Sequence, residues 1–192
     1  MRRSVLILGL LVGLAAARAG DEAPALEYGG AFELIDHHGK TVTDRDFLGK
    51  YMLLYFGYTY CPDVCPTTLA VVAAALQRMG EQAEGIQPIF VSVDSKRDTP
   101  QQLAPYVRAF HPRLIGLTGD KNAIFKVARS YYVHYYAGEI NGEYAVGHTD
   151  NLYLVGPDGK FITEIPGGQS PQSLAQTLSE HLRDGGRGAA GS

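Results

Sequence analysis

The sequence is poor in cysteine: only Cys61 and Cys65 occur among its 192 residues. Two cysteines exclude a disulfide-rich scaffold, and they cannot complete a tetrahedral zinc site by themselves. Both lie in the segment YFGYTYCPDVCP, residues 55–66. A disulfide between them would close a very small loop and so would constrain the unfolded chain little. The spacing therefore argues against a structural staple and leaves open a redox couple or a pair of metal ligands.

The chain also lacks a clear membrane span. Its longest apolar stretch, residues 5–17, is shorter than the ~20 residues that a spanning helix needs. This stretch follows Arg2 and Arg3 and precedes a small-x-small sequence at 17–19. Residues 1–19 are therefore predicted to be a cleaved secretory signal peptide of a periplasmic protein, with an uncleaved inner-membrane anchor as the alternative. No cysteine follows this segment to carry a lipid.

An excess of basic residues is missing as well. The chain carries 17 Lys and Arg against 20 Asp and Glu, and its net charge of −3 gives no indication of nucleic-acid binding. The hydrophobic content of 45% fits one globular domain, and no repeat or linker divides the chain. We predict a flexible lead-in at 20–30, one domain at 31–183 and a flexible, glycine-rich tail at 184–192.

Apolar runs and turn residues alternate in a way that predicts an α/β fold. Predicted strands cover residues 32–35, 41–42, 50–57, 86–94, 113–117, 151–155 and 160–165. Helices are predicted to begin at Pro66, after Thr99, after Asp120 and at Ser170. This order describes a thioredoxin-like sandwich with a mixed sheet and an N-terminal hairpin extension.

The position of the cysteines favours thiolate chemistry. Cys61 would lie just before a helix and Cys65 near its start, where unpaired N–H groups and the helix dipole stabilise a thiolate. Two thiolates suit copper(I), especially if one imidazole completes a trigonal set. His148 is the best candidate for that imidazole, because it comes just before strand 151–155 and the corresponding loop of a thioredoxin-like fold approaches the cysteine turn. The other histidines are interpreted as turn, helix-end or surface residues: His37, His38, His111, His134 and His181.

Several ordered blocks of this sequence resemble the Sco/SenC family. They are YFGYTYCPDVCP at 55–66, VSVD at 91–94 with RDTP at 97–100, GLTG at 116–119, and HT at 148–149 with YLVGPDG at 153–159. The resemblance runs from about Phe32 to Leu182 with every block in order. A lone C-x-x-x-C would be a weak indication, whereas the ordered set is specific.

The resemblance implies a copper chaperone that binds copper through Cys61, Cys65 and His148 and delivers it to the binuclear copper centre of cytochrome c oxidase. The implied partners are the copper-bearing oxidase subunit and other copper carriers or thiol reductases, with a membrane tether in many relatives. Asp63 is interpreted as either a tuning residue or a turn residue. Relatives often have an acidic residue directly before the histidine, whereas this chain has Gly147, with Asp150 beyond it.

Two other functions remain in view. A thiol–disulfide oxidoreductase that reduces the acceptor's cysteines would use Cys61 and Cys65 as its redox-active pair, and a disulfide between them would then be part of the cycle. Enzymes of that class usually have two residues between the cysteines and need no imidazole. A peroxidase is disfavoured, because Tyr58 and Pro62 stand where such enzymes place Thr or Ser before the attacking cysteine.

Overall fold

The computed structural model describes residues 28–189, which form one mixed sheet with helices on both faces, together with a separate hairpin. The strands are β1 (Glu33–Asp36), β2 (Thr41–Thr43), β3 (Tyr51–Gly57), β4 (Ile86–Ser92), β5 (Ile115–Thr118), β6 (Tyr135–Ile140), β7 (Glu143–His148), β8 (Asn151–Val155) and β9 (Phe161–Pro166). The α-helices are α1 (Val64–Met79), α2 (Pro100–Phe110), α3 (Lys121–Ser130) and α4 (Pro171–Ala189). Short 3-10 helices cover Asp44–Phe47 and Gly80–Gly85.

The main sheet has the strand order β2-β1-β5-β4-β3-β8-β9. Strands β3, β4 and β5 are parallel, while β1, β8 and β9 pair antiparallel to their neighbours. The N-terminal hairpin, β1 with β2, extends the sheet beyond β5. This mixed sheet confirms the predicted thioredoxin-like sandwich with its hairpin extension.

Both faces of the central strands are buried, which explains their nearly unbroken apolar runs. Along β3, Leu53 and Tyr55 pack against α1, α2 and α4, while Met52, Leu54 and Phe56 pack on the opposite face, which α3 covers. The carboxyl end of β3 therefore meets the start of α1 at one edge of a continuous core.

The helix starts follow local capping chemistry. Thr99 accepts a hydrogen bond from the Gln102 N–H, and Asp120 accepts from the N–H groups of Asn122 and Ala123, as predicted. The start of α1 differs from the prediction, because α1 begins at Val64 and Pro66 is its third residue. That position is compatible with proline, since the first N–H groups of a helix have no partner within the helix.

Two predictions concern the chain ends. Helix α4 continues to Ala189, so the first residues of the predicted tail are helical, and the flexibility of that tail stays a prediction. The predicted signal peptide at 1–19 and most of the lead-in at 20–30 lie outside the described residues. Between residues 28 and 189, no helix combines the length and apolarity needed to cross a bilayer.

Candidate metal centre

The cysteine turn lies between the end of β3 at Gly57 and the start of α1 at Val64. Cys61 precedes the helix and is partly exposed, whereas Cys65 is the second helical residue and is fully buried. The Cys65 N–H points at the other sulfur and donates to Cys61 Sγ at 3.4 Å. The helix start therefore brings the two sulfurs together, as the spacing predicts, and leaves only one of them accessible.

Gly57, the last residue of β3, is packed closely against Cys65 and Phe90. A Cβ added at Gly57 would lie 2.9 Å from Cys65 Sγ and 2.8 Å from a ring carbon of Phe90. Real Cβ atoms do not approach other atoms so closely, so only glycine at this position lets the buried sulfur sit directly against β3.

His148 reaches the cysteines from a different part of the fold. It is the last residue of β7, and its Nε2 lies 3.0 Å from Cys65 Sγ. Its other ring nitrogen, Nδ1, is 2.9 Å from the carbonyl oxygen of Thr149. Because a carbonyl oxygen only accepts, Nδ1 carries the proton of the neutral ring and the Nε2 lone pair faces the sulfur.

One ligand atom from each of Cys61, Cys65 and His148 lies within 4.8 Å of the other two. Within the described part of the chain, no other group of three His, Cys, Asp or Glu side chains converges in this way. The structure thus brings together all three residues that the sequence singled out.

The two thiols differ in acidity. Burial alone would raise the pKa of Cys61, but hydrogen bonds from the backbone of Cys65 and Asp63 and from neighbouring side chains outweigh it, and the pKa lies below that of an ordinary thiol. Burial raises the pKa of Cys65 to about 12, despite an opposing hydrogen bond from the backbone of Tyr58. Of the two groups, Cys61 is therefore the thiol that ionises more readily, and Cys65 is the thiol that stays protonated and faces His148.

This difference predicts selective alkylation. In reduced, metal-free protein we expect iodoacetamide to modify Cys61 first, since the thiolate is the reactive form. The rate of Cys61 modification should rise with pH and reach its plateau at a lower pH than the rate for an ordinary thiol. Cys65 should stay unmodified until the protein unfolds. Peptide mass spectrometry across a pH series measures both rates. Equal labelling of the two cysteines at neutral pH would contradict the assignment.

Aromatic rings enclose the imidazole. Tyr55 and Tyr58 meet the His148 ring edge-to-face, with centroid distances of 6.0 and 5.8 Å. The Tyr55 hydroxyl donates to Asp150 Oδ1 at 2.8 Å, and the Thr68 hydroxyl donates to the same oxygen at 3.0 Å. Asp150 thus holds the hydroxyl of the tyrosine that packs against His148, so a carboxylate does lie near the site although Gly147 stands directly before the histidine.

A buried carboxylate holds the cysteine turn, and sequence reasoning gave it no role. Asp98 is fully buried and accepts hydrogen bonds from the Thr59 N–H at 2.8 Å, the Thr59 hydroxyl at 2.6 Å and the Ser92 hydroxyl at 2.6 Å. Thr59 lies two residues before Cys61, so Asp98 fixes the path of the chain just before the first sulfur.

An open groove of about 460 Å³ borders the turn and is lined by Thr59, Tyr60, Gln102, Pro105 and Tyr106. The Tyr106 side chain packs against the core cluster that contains Cys65, and burial is the main cause that raises the pKa of its hydroxyl. Its hydroxyl is buried and has no hydrogen-bond partner among the described residues. Thr59 and Tyr60, the two residues that precede Cys61, form part of the wall of this groove.

The remaining candidates lie elsewhere. His37 is more than a solvated turn residue: its Nδ1 accepts from the Gly116 N–H at 3.1 Å, and burial lowers its pKa. His111 directly follows the last residue of α2 and accepts from the Arg113 N–H, and burial lowers its pKa as well. His38 and His134 are exposed and His181 is partly exposed.

The Asp63 side chain is exposed, and its backbone N–H is the group that bonds to Cys61.

The fold and the site together define a class of protein. It is a thioredoxin-like domain in which two cysteines and one histidine meet at the start of the first α-helix. The SCO1/SenC family model matches residues 20–183. The chain belongs to the SCO1/SenC family.

Individual relatives agree with this assignment. The chain is 41% identical over 170 residues to the mitochondrial "Protein SCO1 homolog 1" of Arabidopsis thaliana, covering 88% of this chain and 51% of that protein. It is 38% identical over 159 residues to the human mitochondrial "Protein SCO1 homolog", covering 81% and 53% of the two chains. The chain therefore spans about half the length of these curated relatives.

Solved structures give the same result. Copper-bound ScoI of Arabidopsis thaliana superposes with a TM-score of 0.76 at 42% identity, covering 81% of this chain and 98% of that one. Copper-bound ScoI of Bradyrhizobium japonicum gives a TM-score of 0.73 at 42% identity, covering 80% and 98%.

Proposed function

We propose that this protein is a copper carrier that binds one copper ion through Cys61, Cys65 and His148 and helps to assemble the binuclear copper centre of cytochrome c oxidase. The convergence of the three ligand atoms within 4.8 Å carries the proposal. Sulfur and imidazole are ligands that copper prefers, and a two-sulfur, one-nitrogen set suits the low coordination number of copper(I). Two structures of relatives at 42% identity contain copper.

The asymmetry of the site fits a carrier. Cys61 is partly exposed and directly follows Tyr60 of the groove wall, whereas Cys65 is fully buried. An acceptor thiolate that enters through the groove can replace Cys61 first and the deeper ligands afterwards. Oxidation of the two thiols to a disulfide, which releases two electrons and two protons, would remove both sulfur ligands, so the redox state would control copper loading.

The proposed location rests on the sequence of the N-terminal segment, and the proposed partners rest on the resemblance to the family. We propose that the protein is exported by its N-terminal segment and acts on the copper-bearing subunit of the oxidase. Other copper carriers or thiol reductases would supply its metal and keep its thiols reduced.

A thiol–disulfide oxidoreductase is the second candidate, and the unequal thiols favour it. A low-pKa, accessible Cys61 can attack a disulfide, and the neighbouring Cys65 can then resolve the mixed disulfide. The imidazole separates the two functions, since the dithiol alone suffices for reduction whereas the metal site needs the nitrogen.

We expect His148→Ala to lower copper affinity by at least about tenfold while leaving the rate of insulin-disulfide reduction unchanged, because even residues outside the ligand set change metal affinity by about 10–100-fold. Competition with a copper(I) chelator measures the affinity. His134→Ala is the matched control, since His134 is exposed at the base of the same hairpin. Loss of reductase activity with intact copper binding would reverse the order of the two candidates.

Metal content tests the proposal directly. Protein purified under reducing conditions should contain about one copper per chain, and X-ray absorption should show two sulfur ligands and one nitrogen ligand. Sulfur coordination without nitrogen, or zinc in place of copper, would reject the proposed site.

A further inference from the structure

The hairpin that carries His148 is not part of the main sheet. Strands β6 and β7 form a separate two-stranded sheet, in which Tyr135 pairs with His148 at the base and Ile140 with Glu143 at the tip. An isolated two-stranded hairpin is only marginally stable in water. The position of His148 over the cysteines therefore depends on side chains that attach this hairpin to the domain.

Tyr144, on β7, makes such an attachment. Its hydroxyl donates to Asp94 Oδ1 at 2.9 Å, just beyond the end of β4. Its ring lies against two cations: the centroid is 4.5 Å from Lys96 Nζ and 4.7 Å from Arg97 Cζ. One half-buried tyrosine thus connects the hairpin to the segment that follows β4.

Arg97 contacts the cysteine turn at the same time. Its guanidinium carbon lies 4.7 Å from the ring centroid of Tyr60 and 5.8 Å from that of Tyr58. Its Nε forms an ion pair with the fully buried carboxylate of Asp94, which also accepts from the Arg97 backbone N–H. The guanidinium is therefore fixed by Asp94 and touches rings on both sides of the metal centre.

We propose that Arg97 is a positioning residue for the metal centre, which with Tyr144 holds the His148 hairpin over Cys61 and Cys65. The inference rests on the proposed copper function. A planar guanidinium stacks on several rings and pairs with a carboxylate at once, which the compact ammonium of lysine cannot do. No atom of Arg97 needs to touch copper; its effect passes through Tyr58, Tyr60 and Tyr144.

Arg97→Lys tests this role, because it keeps a positive charge for Asp94 and loses the stacked plane. We expect copper(I) affinity to fall by about 10–100-fold, the usual effect of residues that orient a metal ligand. The nitrogen coupling in the electron paramagnetic resonance spectrum of the copper(II) form should weaken. Tyr144→Phe removes only the hydroxyl that donates to Asp94 and should lower copper(I) affinity to a smaller extent. Because it is a mild substitution, it keeps the test valid if Arg97→Lys misfolds.

The matched control is Tyr136→Phe, which removes a hydroxyl that donates to the Glu139 carbonyl within β6. Its affinity and spectrum should equal those of the unmodified protein. In a His148→Ala background, Arg97→Lys should cause little further loss, since the ligand that it positions is gone. An equal loss in both backgrounds, or an unchanged affinity and nitrogen coupling in Arg97→Lys, would overturn the inference.

Hydrogen exchange in metal-free protein separates this inference from the copper function. Arg97→Lys and Tyr144→Phe should increase amide exchange across residues 135–148, and Tyr136→Phe should not. If the unmodified protein binds no copper but Arg97→Lys still increases amide exchange in the hairpin, the proposed function fails and the attachment of the hairpin stands. Unchanged exchange in both variants, in a protein that binds copper normally, rejects the positioning role alone.

Discussion

Cys65→Ser is expected to abolish stoichiometric copper binding, with a loss of affinity well above the ~100-fold that residues outside the ligand set produce. Cys65 is the proposed ligand that both other residues contact: its N–H donates to Cys61 Sγ and its sulfur lies 3.0 Å from His148 Nε2. A hydroxyl is a hard, weakly coordinating group for copper(I) and does not ionise near neutral pH, so serine cannot replace the thiolate. Equilibrium dialysis of reduced protein against a copper(I) buffer measures the loss.

Cys65→Ala is the second variant, because Cys65 is fully buried and serine places a hydroxyl in an apolar site. Both variants should lose copper equally, while alanine should retain more of the thermal stability. Retention of one copper per chain in either variant would remove Cys65 from the ligand set. Cys61→Ser should also lose copper, but with a smaller effect on stability, since Cys61 is partly exposed.

The proposed ligands come from two different elements. Cys61 and Cys65 lie at the β3–α1 turn and pack with the core, whereas His148 ends a hairpin that pairs with no strand of the main sheet. In the proposed carrier this division has a consequence for transfer. A partner that moved the hairpin would take the proposed nitrogen ligand away from the cysteines and leave a two-sulfur site, which has one ligand fewer to hold the metal.

Local patterns predicted most of the main sheet. The apolar runs of β3 and β4 and the capping residues Thr99 and Asp120 act over a few neighbouring residues, so a single sequence shows them directly. The hairpin of β6 and β7 was missed, although Asn141-Gly142 at its tip is a typical two-residue turn with φ of 52° and 82°. Its strands are half-exposed and rich in tyrosine, and they lack the long apolar runs that marked the central strands.

The site shows the same division between local and distant information. The Cys61–Cys65 spacing at a helix start indicated the pair from the sequence alone, but selection of His148 among six histidines needed its place in the predicted fold and was strengthened by the resemblance to the family. Asp98, Arg97 and Tyr144 are far from the cysteines in sequence and have no spacing rule of their own. Only the fold shows that they support the turn and the hairpin.

Asp98 supports the turn by accepting three hydrogen bonds in a fully buried position, and it shows how strongly the site depends on the core. Two of these bonds come from Thr59, next to the tyrosines of the turn, and the third comes from the Ser92 hydroxyl at the end of β4. The carboxylate therefore joins the turn to the neighbouring strand.

Asp98→Ala is expected to lower the free energy of unfolding by about 3 kcal/mol and Tm by roughly 6–12 °C, because it leaves the donors of Thr59 and Ser92 without their acceptor. Thermal unfolding of reduced, metal-free protein, followed by circular dichroism, measures the change. Asp158→Ala is the matched control: its carboxylate is exposed and pairs with Lys160 at 3.6 Å, a surface contact that contributes less than about 1 kcal/mol. Equal losses of stability in the two variants would show that the Asp98 hydrogen bonds do not hold the turn.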